Sequence, residues 1–321
     1  MQLKQILTFC LAFAVWISAA TAQTFPTRAI RAIVPYAPGG STDVVMRILA
    51  PRMSEILGQQ VIVENRPGGS STIGLDIAAK SQPDGHTVGI ANLTFCANPS
   101  LIKKMPFDSE KDLLPVSLMS IVTLVLSVHP SVPAKSVKEL IALAKAQPGV
   151  LNYASAGNVS ANHLATERFS SMTGIKMTHV PYKGGGQAMQ DVLSGQIQML
   201  ITALPTAEPY LAGGRLRALA FSSAKRVARL PAVPTLAESG YPGFDVTSWY
   251  GILAPASTAP DLVQKLNGEI GQALAQKDLQ DRFAALGIEP VGGTPGEFAA
   301  TIKTDTTRWA KVVKDAGIHL D

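Results

Sequence analysis

The feature that most restricts what this 321-residue chain can fold into is its alternation of short β-branched runs with helical patterns. AIRAIV, QVIVE, TVGIA, VTLVLSV, VLNYAS, KMTHV, IQMLI, LRALAFS and TSWYGIL are strand candidates, and several are apolar almost throughout, as strands covered on both faces are. Between them lie helices with readable caps. SVKELIALAKAQPG sets Ser136 and Glu139 at capping-box spacing with Gly149 beyond its end, and TPGEFAATIKTDTTRWAKVVKDAG does the same with Thr294, Pro295 and Glu297 before Gly317. Strand and helix in alternation imply an α/β protein, its sheet parallel or mixed and flanked by helices. The helix after GGSTD carries Pro51 inside its apolar pattern, so a kink or break is expected there.

IVPYAPGGSTDVVMR, residues 33 to 47, is echoed by HVPYKGGGQAMQD, residues 179 to 191. In each, a β-branched run ends at a proline, and a small-residue loop then leads into a helix-like pattern. A strand that enters a helix through such a loop leaves the first-turn amides free, and the helix dipole adds partial positive charge there. An anion fits that spot. Gly39 and Gly40 let backbone approach a ligand closely, while Ser41, Thr42 or Asp43 is placed to cap the helix. YASAGNVSANHLATERF offers a second exit, with Ser155, Gly157, Asn158 and Ser160 before a helix that carries His163, and Gly184, Gly185 and Gly186 form a third. In open α/β sheets ligands bind beyond the carboxyl ends of strands, where such loops gather.

The N-terminus reads as a secretory signal: Lys4, the uncharged apolar stretch ILTFCLAFAVWIS, then Ala20 and Ala22 in an A-x-A arrangement. The apolar run is shorter than the roughly 20 residues of a membrane span. Cys10 lies inside it, which argues against lipidation. Cleavage after residue 22 takes Lys4 away and lowers the formal charge from +5 to +4. A mildly basic chain without a Lys or Arg run has no nucleic-acid footprint. Only Cys96 remains of the two cysteines, so no intrachain disulfide can form. The chain holds no Walker loop, spaced GxGxxG, GxSxG elbow, HExxH or CxxC. The five histidines are at least 16 residues apart, so no local metal cluster is readable. Asp43 or Asp84 with His163 could supply a triad assembled from distant residues, but each has an ordinary structural reading, and the chain is expected not to be an enzyme.

From Phe25 to Ile318 the chain resembles the solute-binding receptors of tripartite tricarboxylate transporters, the Bug receptors. The matching stretches, in order, are IVPYAPGGSTD, GQQVIVENRPGG, PDGHTVGIAN, ANPSL, PGVLNYASAGNVSANHLATE, VPYKGGGQAMQDVLSGQIQ, GRLRALAFSSAKRVARLPAVPTLAESGYPGF, WYGILAPASTAP and the final AGI. The resemblance implies a two-lobed periplasmic-binding-protein fold, type II-like, in which each lobe is a mixed sheet flanked by helices and the chain crosses between lobes twice. It implies a monomer in the periplasm that captures a small organic carboxylate for a membrane permease of two subunits, with neither metal nor organic cofactor. Domain 1 is expected over about 24–124 and 250–321, and domain 2 over 125–249. The loop Ala37 to Asp43, with Tyr36 and Pro38, would face Ser155 to Ser160 and Lys183 to Gln187, and the carboxylate would be held by backbone amides and water rather than by a cation. Asn92, Thr94, Thr202 and Ala203 are placed between the lobes by the same likeness. Trp249 and Tyr250 are expected mainly to pack the hinge. The echo of VPY is read as shared turn chemistry, not a duplicated domain. Tyr36 stands where the family more often has Phe, and ITALP lacks a common Asp-Asn. Cys96 is expected to be a buried small hydrophobe rather than to line the pocket, and with few charged pocket candidates an aromatic dicarboxylate fits as well as a citrate-like acid. A sensor with a signalling partner and an exported hydrolase are the alternative functions.

Overall fold

A computed structural model describes residues 25–315, and the expected leader, Gly317 and Ile318 lie outside the described residues. The strands fall into two sets that share one long member. Lobe 1 has the order β2 (Val61–Asn65), β1 (Ile30–Val34), β3 (Thr87–Asn92), β9 (Thr247–Pro255) and β4 (Leu113–Val128), with β10 (Ile288–Gly292) also on β4. β1 runs parallel to β2 and β3, whereas β9 is antiparallel to β3 and β4. Lobe 2 has the order β6 (Thr178–Pro181), β5 (Asn152–Ser155), β7 (Met199–Ala203) and β4, with β8 (Arg217–Phe221) also on β4. β4 pairs with β9 from Leu113 to Thr123, then with β7 from Leu124 to Val128 and with β8 from Val125 to Val128.

Both lobes follow one plan: second strand, first strand, third strand, then a strand supplied by a crossover. The topological partner of β1 is therefore β5, not β6. The HVP of HVPY ends β6, so the two VPY stretches sit at unequal places in the two lobes, which agrees with shared turn chemistry. Their tyrosines also bond to different groups, for Tyr36 donates to Asn92 Oδ1 at 3.0 Å and Tyr182 to Asp191 Oδ2 at 2.5 Å.

The crossovers are tied together. Ser222, fully buried, donates its amide to the Leu124 carbonyl at 3.0 Å, and its hydroxyl lies 2.6 Å from the Val246 carbonyl. Val246 returns its amide to the Ser222 carbonyl at 2.9 Å, and the Leu124 amide reaches Ser222 Oγ at 3.2 Å.

Helices follow most strands: α1 (Ser41–Leu57), α2 (Thr72–Ala79), α3 (Leu93–Ala97), α4 (Val137–Ala146), α5 (Ala161–Thr173), α6 (Gly185–Leu193), α7 (Leu204–Ala212), α8 (Pro260–Leu274), α9 (Lys277–Ala285) and α10 (Pro295–Asp315). The expected break at Pro51 does not occur. Pro51 is exposed, so the carbonyl it leaves unpaired one turn back faces water, while Val45, Met46, Ile48, Leu49, Met53 and Leu57 are buried on the opposite stripe. Each such side chain contributes about 2 kcal/mol over exposure, against about 3 kcal/mol lost at a helical proline. The Thr294 box is reciprocal: Glu297 N donates to Thr294 Oγ1 at 3.2 Å, and Thr294 N to Glu297 Oε2 at 2.7 Å. At Ser136 the return bond comes from Lys135 N instead, at 2.6 Å. No described helix is long and apolar enough to cross a membrane.

Candidate functional site

The loop after β1 turns at Gly39, whose φ of 81° a side chain would strain, and α1 begins after Gly40 with no side-chain cap. Asp43 does not cap. Its buried carboxylate accepts the Gly39 amide at 3.0 Å, Arg47 Nε at 2.9 Å and Asn65 Nδ2 at 2.9 Å, and so folds the loop back on itself. Burial opposes that charge, but the bonds from Arg47, Gly39 and Asn65 outweigh it and hold the carboxyl below its ordinary value. The α1 amides stay open toward the cleft.

From lobe 2, α6 begins after Gly184 and α7 after Ala203, again with no side-chain caps, while α5 is capped by Ser160, whose Oγ accepts His163 N at 3.3 Å. These four N-termini meet at one small cavity of ≈ 20 Å³ lined by Tyr36, Gly40, Ser41, Thr42, Asn92, Leu124, Ala156, Ser160, Ala161, Asn162, Gly185, Thr202, Ala203, Ser248 and Tyr250. None of these side chains is ionic. Partial positive charge from helix dipoles and free amides is what the site offers to an anion.

The cleft is closed. Ala37 N donates to Lys183 O at 3.3 Å, and a Cβ on Gly186 would stand 2.6 Å from the Pro38 carbonyl. Only glycine permits that backbone approach. The remaining volume suits about one water, so a ligand enters only when the lobes part.

Of the candidates named from the sequence, Tyr36, Gly40, Ser41, Thr42, Asn92, Ser160, Gly185, Thr202 and Ala203 are brought together around this cavity. Pro38, Gly39 and Gly184 form the contact between lobes just outside the lining. Thr94 is buried, its amide donating to Asn92 Oδ1 at 3.0 Å. Ser155, Gly157 and Asn158 shape their loop: Gly157 O accepts both Ser155 and Ser160 hydroxyls, and Asn158 O accepts Ser70 Oγ across the cleft at 3.5 Å. His163 is buried behind that loop and does not face solvent. Its Nδ1 accepts Val159 N at 3.0 Å, and Asp43 and Asp84 bond elsewhere, so neither triad forms.

Sequence reasoning missed Leu124, Ala156, Ala161, Asn162 and Ser248 and set Tyr250 mainly to packing. Alternation along β9 was the available signal: Tyr250 OH lies 2.5 Å from Ser41 Oγ at the cavity, while Trp249 turns to the other face, Nε1 donating to Asp305 Oδ2 at 2.6 Å. Burial raises the pKa of both Tyr36 and Tyr250, which keeps them protonated donors. Cys96 is buried between α3 and α10 and does not line the cavity; burial pushes its thiol up to about 12. A larger hollow of ≈ 900 Å³ is lined by Phe95, Ile102, Met105, Phe107 and Ile302 with Lys103, Asp108, Glu110 and Lys303. Its charges are mixed in sign and no helix N-termini converge on it. Among the described residues no three His, Cys, Asp or Glu side chains are placed to hold a metal ion.

Protein BugT of Bordetella pertussis is 40% identical over 302 residues, 94% of this chain and 93% of that protein. Two solved structures match closely: R. palustris Rpa4515 with adipate, at TM-score 0.89 and 36% identity, covering 92% of this chain and 99% of that one, and MatC from Rhodopseudomonas palustris with bound malate, at 0.85 and 32%, covering 90% and 100%. Residues 45–318 match the model of the tripartite tricarboxylate transporter family receptor. With the two-lobed fold and the anion-ready cleft, these likenesses show that the chain belongs to that receptor family.

Proposed function

We propose that this protein is a periplasmic receptor that closes its two lobes, residues 24–124 with 250–321 and residues 125–249, on a small organic dicarboxylate and delivers it unaltered to a two-subunit permease. The observation that carries this reading is the convergence of four helix N-termini, from both lobes, on a cavity with no ionic side chain. Opposed amide clusters suit a ligand charged at both ends, and ordered water completes the contacts that direct bonds leave open. The adipate and malate in the two similar structures favour a short diacid.

A thermal-shift series with adipate, malate, citrate and benzoate tests this on protein stripped of any bound acid. A ligand at 100 times its Kd adds about 2.7 kcal/mol to native stability. Diacids are expected to raise the melting temperature more than benzoate. A flat response to every acid would remove carboxylate capture as the function.

A further inference from the structure

Behind the Ser155 to Ser160 loop, on the sheet face that α5 covers, sits a cluster that the cavity does not use. His163 and His179 stack with ring centroids 4.1 Å apart and planes 6° from parallel, and Tyr153 lies 4.8 Å from His179. Each imidazole holds one end of the loop. His163 Nδ1 accepts the Val159 amide at 3.0 Å, and since an amide can only donate, that nitrogen carries no proton. Val159 has φ 63°, a left-handed conformation that a β-branched residue keeps only when its surroundings impose it. His179 Nε2 lies 2.6 Å from Ser155 Oγ, which in turn accepts the Gly157 amide at 3.2 Å.

The surroundings offer one group that favours a positive charge, the Glu167 carboxylate, and burial with the neighbouring ring outweighs it at His179. α5 supplies Glu167, whose Oε1 accepts Tyr153 OH at 2.5 Å; β5 supplies Tyr153 and Ser155; β6 adds no titratable group besides His179; and β7, packed on α5, has none. Tyr182 and Asp191 bond to each other on the opposite face of β6. Burial pushes His163 down to about 4, and burial followed by the neighbouring His163 does the same to His179. A proton on His163 Nδ1 would face the Val159 N–H, and two protons would set parallel cations 4.1 Å apart.

We propose that His163 and His179 are positioning residues for the lobe 2 anion loop, holding its amides in the binding conformation only while both rings are neutral, so that ligand affinity falls on acidification. This rests on the carboxylate-receptor reading. Adipate and malate are the probes, titrated calorimetrically between about pH 4 and 7 into the wild type, His163→Ala, His163→Asn and the double variant His163→Asn/His179→Gln. Protonation of the probe is common to all and cancels in the ratio of affinities. His163→Ala is expected to weaken binding about tenfold at neutral pH, the loss of one buried hydrogen bond. Asn, whose Oδ1 takes the place of Nδ1 and cannot be protonated, recovers most of that loss. The double variant gains on the wild type as pH falls toward 4. Parallel acid profiles, or wild-type affinity in His163→Ala, would overturn the proposal. If the wild type itself binds neither probe, the receptor reading fails for those acids, and ¹⁵N shifts of the imidazoles with exchange protection of the Val159 amide still decide the role of the pair. Rings that titrate at the ordinary histidine value, or protection unchanged in His163→Ala, would end it.

Discussion

The two anion loops reach one cavity by opposite electrostatic means. In lobe 1 an ionised carboxylate, Asp43, gathers Gly39, Arg47 and Asn65 around it. In lobe 2 two uncharged imidazoles and a buried serine hold Val159 and Gly157. In each lobe a layer of groups behind the loop bonds its amides, and because one layer is anionic and the other neutral the two should respond to acid differently.

The sharpest way to break the contrast lies where the loops touch. Gly186→Leu drives a side chain into the Pro38 carbonyl, 2.6 Å from its Cβ, so closure should fail and affinity drop by about a hundredfold or more, with unfolding little changed; Gly40→Ala, whose nearest backbone atom is 3.6 Å away, should cost far less. Calorimetric titration of both checks this. Asp43→Asn removes the charge that lobe 1 relies on and turns an NH2 donor toward the donors that the carboxylate had accepted. Urea unfolding should show a loss of about 2 to 3 kcal/mol.

Acid separates the layers next. His163 and His179 are depressed in the folded state, so as pH falls below about 6.5 the unfolded chain takes up protons that the folded one refuses until about 4. Their stabilising share is complete above that window and declines through it. Asp43, also depressed, keeps its share above the ordinary carboxylate value and loses it only on further acidification. Melting temperatures should therefore fall between about pH 6.5 and 4 in the wild type and fall less in the His163→Asn/His179→Gln variant. A smaller effect is expected for Tyr250→Phe, which deletes the 2.5 Å bond to Ser41 and should cost about 1 kcal/mol of binding. The smallest is Lys183→Ala. Its side chain is exposed and only its carbonyl meets lobe 1, so affinity should stay within about twofold of wild type by the same titration.

The loop chemistry was legible because glycine, serine and asparagine after β-branched runs leave few conformations open, and the α1, α5 and α6 starts fall at the expected exits. The run VTLVLSV marks only the last seven residues of β4, Leu113–Val128. Pro115 and its two register shifts, near Pro115/Ser117 and Leu118/Ser120, interrupt the alternation that marks a strand. β10 was missed since IEPVG carries a proline and a glycine on a short strand bonded only to β4. The role of Asp43 was partly written in the sequence, for Arg47 stands one turn on, but Asn65 joins it only through the sheet. His163 and His179 are distant along the chain, and no spacing rule could bring their rings face to face.

Ser222 has a mechanical consequence. Because Ser222 bonds both crossover segments through its main chain and its hydroxyl, the two strands of chain between the jaws are coupled at one point. Shaving that hydroxyl to alanine would remove its bonds to the Val246 carbonyl and the Leu124 amide and loosen the junction, while the main-chain bonds still join the two connections.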